Sequence, residues 1–153
     1  MATVDEIHAK LTALINNLNP QGRRQLAKNI GQALRKNQQA RIARQQNPDG
    51  TAFEPRKVQK KLRNKKGRVK RKAMFAKLRT ARFFKVRSNS NEVTVGFNGT
   101  AAYIANIHQY GLMGTVNKKT GRKIRYAQRE VLGFSHEDLD MIEDILLEHL
   151  GKE

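Results

Sequence analysis

At 153 residues, with 38% hydrophobic side chains and a mean hydropathy of −0.73, the chain has material for one domain carrying an extended arm. Its 31 Lys and Arg against 13 Asp and Glu give a formal net charge of +18, which predicts attraction to nucleic acid, to anionic surfaces or to an acidic protein partner. The absence of cysteine excludes disulfides, cysteine-type zinc sites and thiol nucleophiles, and no apolar run approaches the ~18 residues of a membrane span.

The chain opens with acids at Asp5 and Glu6 and no apolar stretch behind them, which argues against a secretory signal. Thr3 and Glu6 stand at capping-box spacing, and Val4, Ile7, Leu11, Leu14, Ile15 and Leu18 form one helical stripe. Asn19-Pro20 ends that helix and suits the first turn of another, because proline lacks the N–H that a first turn leaves unused. The second helix is expected to reach Gln46, with Leu26, Ile30 and Leu34 on one face and Arg23, Arg24, Lys28, Arg35, Arg41 and Arg44 pointing mostly elsewhere. Residues 1–46 thus read as a helical hairpin, closed by the dense turn signal Asn47-Pro48-Asp49-Gly50.

Between Glu54 and Glu92 there is no acid but sixteen cations, so self-repulsion should keep the apolar-poor first half extended. Together with the turn before it, that half makes 47–72 an extended basic arm carrying Arg56, Lys57, Lys60, Lys61, Arg63, Lys65, Lys66, Arg68, Lys70, Arg71 and Lys72. From 73 to 153 the pattern is that of an α+β body. Met74, Phe75, Leu78 and Ala81 predict a short helix with an apolar face, and 92–97 alternates as a half-buried strand whose hairpin partner is 83–87. A helix over 100–110 follows, stopped by Gly111, then a second hairpin around 117–121 leading into Lys123-Ile124-Arg125-Tyr126.

Ser135 opens the last helix, with Asp138 at capping-box spacing. Leu139, Ile142, Ile145, Leu146, His149 and Leu150 are its expected apolar stripe, and Glu137, Asp138, Asp140, Glu143, Asp144 and Glu148 its outer face. Seven of the thirteen acids lie in this final segment, so the chain divides into a basic middle and an acidic end.

Enzyme signatures are missing. His8, His108, His136 and His149 include no i,i+4 metal pair, and no GxxxxGK[ST], GxSxG or HExxH occurs, so no catalytic residue, cofactor or metal is assigned. Aromatics are thin in the basic middle, with Phe75, Phe83 and Phe84 at its apolar end, which disfavours base stacking. The cations fit contact with an acidic protein, sequence-nonspecific contact with DNA or RNA phosphates, or simple solubility. His108 fits a hydrogen-bonded imidazole fixing a helix C-terminus better than a catalyst.

Three segments together resemble the phage virion morphogenesis family, the tail completion proteins of P2-like and Mu-like contractile-tailed phages. They are 41–57, with Pro48-Asp49-Gly50, Phe53 and Pro55-Arg56-Lys57; Ile107-His108-Gln109-Tyr110-Gly111; and 126–135, with Arg129, Leu132 and Gly133. Where related neck and tail proteins often carry Arg-Pro-Phe before Leu-Gly, this chain has Arg129-Glu130-Val131. The resemblance implies a small antiparallel sheet with flanking helices, assembled as a sixfold ring in the virion. It also implies a structural role at the head-proximal end of the tail, as terminator or neck ring, contacting other tail, head-completion or connector proteins. In such a ring one patch meets a different patch on the next subunit. The basic arm and the acidic residues Glu137, Asp140, Glu143, Asp144 and Glu148 are the expected pair.

Overall fold

The computed structural model describes residues 4–56, 73–117 and 119–151. The expected Thr3 cap and residues 57–72 of the basic arm lie outside the described residues. The elements in chain order are α1 (Val4–Asn16), α2 (Pro20–Ala43), β1 (Phe84–Ser88), β2 (Val93–Phe97), α3 (Gly99–Tyr110), β3 (Met113–Asn117), β4 (Arg122–Arg125) and α4 (His136–Gly151). Strands β1 and β2 pair in one sheet and β3 and β4 in another, the latter antiparallel with Met113 opposite Arg125 and an irregularity between Thr115 and Asn117. The fold is α+β.

Local chemistry explains most boundaries. The Asn19 side chain accepts the Gly22 N–H at 2.7 Å and its carbonyl accepts the Arg23 N–H at 3.0 Å, capping α2 at the predicted proline. Asn89 Oδ1 accepts the N–H groups of Asn91 and Glu92, closing the β1–β2 turn.

The described residues group into two compact units. The first takes in Met1–Lys36, Val86–Val95 and His136–Glu153. Its core is Leu18, Leu26 and Leu146, with Ile15, Ile30, Ile142, Ile145 and Leu150 packed around them. The hairpin lies close on α2 at Gly31, where an added Cβ would stand 2.7 Å from Val93 Cγ2 and closer still to Val86 Cγ1. Two readings of the last helix need correction. Leu139, expected in the apolar stripe, is 48% exposed, and Asp138, expected on the outer face, is buried at 2%.

The second unit takes in Asn37–Lys85 and Gly96–Ser135. Ile42, Phe53, Met74, Leu78, Phe84, Ala101, Ala105, Ile107 and Val131 are its buried apolar residues, and the rings of Phe84 and Phe97 meet edge-on at 4.6 Å. The short helix expected from Met74 onward is instead a run of turns, although Met74 and Leu78 are buried as its apolar face predicted. Phe75 stands at φ 65°, in the left-handed region, and the Met74 carbonyl accepts from the Gln45 side chain. A helix cannot start through such a residue.

Candidate functional site

The second unit is organised by buried side chains that hydrogen-bond main chain far away in sequence. α2 ends at Ala43, short of the predicted Gln46, because Gln45 turns left-handed at φ 58°. The Gln45 N–H then reaches the Ile42 carbonyl and the Gln46 N–H the Arg41 carbonyl, a Schellman closure formed without glycine. Arg41, read from the sequence as one of the outward cations, is 3% exposed. Its guanidinium donates to the carbonyls of Gln46 (2.9 Å), Glu130 (3.0 Å) and Val131 (3.0 Å) and to Gln38 Oε1. The Gln38 amide donates to the Gly133 carbonyl at 2.9 Å and its oxygen accepts the Gly133 N–H at 3.3 Å. A guanidinium carries five donors in a planar fork, so one side chain can tie the α2 terminus to the 130–133 strip.

The turn at 47–50 joins the same strip. Asn47 Oδ1 accepts the Glu130 N–H at 2.9 Å, a bond that proline in place of Glu130 could not donate. Gly133 has no side chain because Pro48 occupies the space, with Pro48 Cβ 3.1 Å from where a Cβ would sit and Cγ nearer. Asp49 accepts the Thr51 hydroxyl and N–H, which holds its pKa below the ordinary carboxylate value. Gly50, at φ 90°, completes the turn.

Ile107 to Gly111 closes α3 as predicted. Gly111 takes φ 63°, the Leu112 N–H reaches the Ile107 carbonyl at 2.8 Å, and the Gly111 N–H reaches that of His108. Gln109 pairs with both main-chain groups of Leu132, donating to its carbonyl at 2.8 Å and accepting its N–H at 3.0 Å. Tyr110 is 66% exposed.

Arg129 and Gln45 fasten the two roots of the basic segment. Arg129, 5% exposed, donates to the carbonyls of Glu54 at 2.7 Å and Pro55 at 3.1 Å, immediately before Arg56. Gln45 donates to the Met74 carbonyl at 2.9 Å and accepts its N–H at 2.7 Å, immediately after Ala73. Arg129 also lies 3.1 Å from His108 Nδ1. A guanidinium can only donate, so Nδ1 is the acceptor and the ring proton sits on Nε2. Burial foremost, then the neighbouring charges of Arg129 and Arg56, pushes the His108 pKa down to about 4. The neutral ring packs edge-on against Phe75 at 4.8 Å and Tyr126 at 5.0 Å. Burial and Arg56 lower the Arg129 pKa while Glu54 favours its charged form.

Beside these roots lies a cleft of about 860 Å³, walled by Met74, Phe75, Leu78, Ile104, Ile124 and Tyr126, with Arg56, Lys77 and Arg125 at its edges. Among the described residues no group of three metal-ligating side chains could hold a metal, and no helix is long and apolar enough to cross a membrane.

The structure thus brings the motif residues Pro48, Asp49, Gly50, His108, Gln109, Gly111, Arg129, Leu132 and Gly133 into one unit, with Tyr110 on its surface. Arg56 lies exposed at the root of the basic segment. The other expected interface cations, Lys57 through Lys72, lie outside the described residues. Glu137, Asp140, Glu143, Asp144 and Glu148 are all exposed on α4. Sequence reasoning missed Gln38, Arg41, Gln45 and Asn47 as organising residues. Only the turn residue Asn47 carried a local signal, since partners 29 to 95 residues distant leave no spacing to read.

The sequence profile of the phage virion morphogenesis family matches residues 2–151. The chain belongs to this family. It is also similar to the tail completion protein S of Escherichia phage P2, with 47% identity over 144 residues, covering 94% of each chain. No solved structure matches it.

Proposed function

We propose that this chain is a structural, non-enzymatic virion protein that completes a phage tail at its head-proximal end, as tail terminator or neck ring subunit, and readies the tail for head joining. The observation that carries this reading is the near full-length, 47% identity to a protein named for tail completion. Assembly takes place in the host cytoplasm, and the protein ends in the virion as a six-membered ring touching other tail or neck proteins. Its polarity supplies a mechanism: a heterologous ring requires two unlike patches, and a basic segment of 57–72 facing an acidic α4 on the next subunit provides them.

Particles produced without this protein test the reading directly. Electron micrographs are expected to show tails that are absent, of irregular length, or unjoined to heads. Normal joined particles would overturn it. Reversal of Glu143 and Asp144 to Lys is expected to weaken ring formation at physiological salt, measured as mass in solution, and unchanged assembly would remove the proposed pairing.

The sixteen-cation, acid-free stretch favours a second reading, nonspecific contact with packaged DNA. Phosphate contact predicts affinity for duplex DNA falling linearly and steeply with log salt. Weak binding together with a ring favours the assembly role.

A further inference from the structure

The exposed side of α4 is not purely polar. Leu139 and Leu147 are 48% and 55% exposed, whereas Leu146 on the same helix is buried. At 3.6 residues per turn, Leu139, Glu143 and Leu147 fall within about 80° of arc, with Asp140 and Asp144 directly alongside. The two exposed leucines thus lie two turns apart, with Glu143 between them, carboxylates along one side and the buried Leu146 on the other. An apolar strip with a charged flank is a surface suited to helix docking.

The second unit presents the complementary surface. Its cleft of about 860 Å³ has an apolar floor that includes Phe75 and Tyr126, and Ile104 on its wall is 40% exposed. Arg56, Lys77 and Arg125 in its lining are exposed and carry the sign opposite to the α4 carboxylates, against one exposed acid there, Glu54. The roots of the cleft are held by Arg129 and Gln45, so the floor is fixed before a partner arrives.

We propose that this cleft is the receptor for α4 of a second copy of this chain, with Leu139 and Leu147 seated against Ile104, Phe75 and Tyr126. The edge cations then face Asp140, Glu143 and Asp144. This deepens the ring reading and rests on it, assigning the apolar centre of a contact whose charged rim includes Arg56, Lys77 and Arg125. Seated leucines supply holding strength, and rim charges supply orientation and rate of encounter.

The cysteine-free sequence makes the test clean. Ile104→Cys and Leu147→Cys are made as separate single variants of the full chain, mixed in equal amounts, and treated with a short bis-maleimide. The reaction is run both on purified protein and on assembled particles. The mixture is expected to give covalent dimers, and each variant alone none. Oligomers that form without a mixed cross-link overturn the seating of α4 while leaving the ring reading standing. Cross-linking of Leu147→Cys chains to each other overturns it in favour of a twofold contact. A chain that is monomeric in both settings overturns both proposals.

Discussion

The two compact units are held together by different chemistry. In the first, Leu18, Leu26 and Leu146 bury their side chains among isoleucines, and any neighbour of suitable volume would satisfy them. In the second, Arg41, Gln38, Gln45, Gln109 and Arg129 each meet main-chain groups at fixed positions, and a change of a single atom removes a partner. Non-directional burial gives stability, whereas directional bonds give position. The unit that carries the roots of the basic segment and the cleft is the one built for position.

The sharpest way to break this contrast is at Arg41. Arg41→Ala removes the guanidinium donor from one buried and two part-buried carbonyls, and a loss on the order of 3–5 kcal/mol is expected from denaturant melts. Arg41→Lys should recover little of it, because an ammonium cannot reproduce the planar fork. Next in size is Leu26→Ala, expected to cost about 2–4 kcal/mol, whereas Leu26→Met should cost under about 1.5 kcal/mol. Tolerance of Lys at 41 together with intolerance of Met at 26 would invert the comparison. Gly133→Ala drives a methyl into Pro48 and is expected to cost about 1–3 kcal/mol, read as a lowered Tm.

The last test is a pH dependence. His108 has its folded pKa lowered to about 4 from an ordinary 6.5, so between these values the unfolded chain binds the extra proton. The stability from the neutral ring is therefore present above pH 6.5 and is lost as pH falls from there toward 4. His108→Gln should flatten that part of the stability–pH curve relative to the parent chain. An identical slope in both chains would show that the ring contributes nothing to it.

Much of the fold was legible because its signals are local. Asn19-Pro20, Asn47-Pro48-Asp49-Gly50 and Gly111 each act within a turn of the chain, and the alternation at 92–97 needs only its neighbours. The illegible parts depend on distant residues. Arg41 sits among other cations of α2, and only the Glu130 and Val131 carbonyls distinguish it from them. The turns after Met74 replace a helix because Gln45, from another segment, takes up its main-chain groups. Asp138 and Leu139 exchange their expected sides because an i,i+4 stripe fixes which residues align, not which edge of the stripe meets the core.

The bond pair at Gln109 has a chemical corollary. A carboxamide presents a hydrogen to lend and a lone pair to receive on two atoms of one flat group, which is what the main-chain carbonyl and N–H of Leu132 ask of it. Asparagine is a methylene short, and glutamate would turn the lending atom into a carboxylate oxygen facing a carbonyl oxygen. Slow hydrolysis of this single amide in an ageing particle would therefore convert an attraction into a repulsion, with no change in the shape of the side chain.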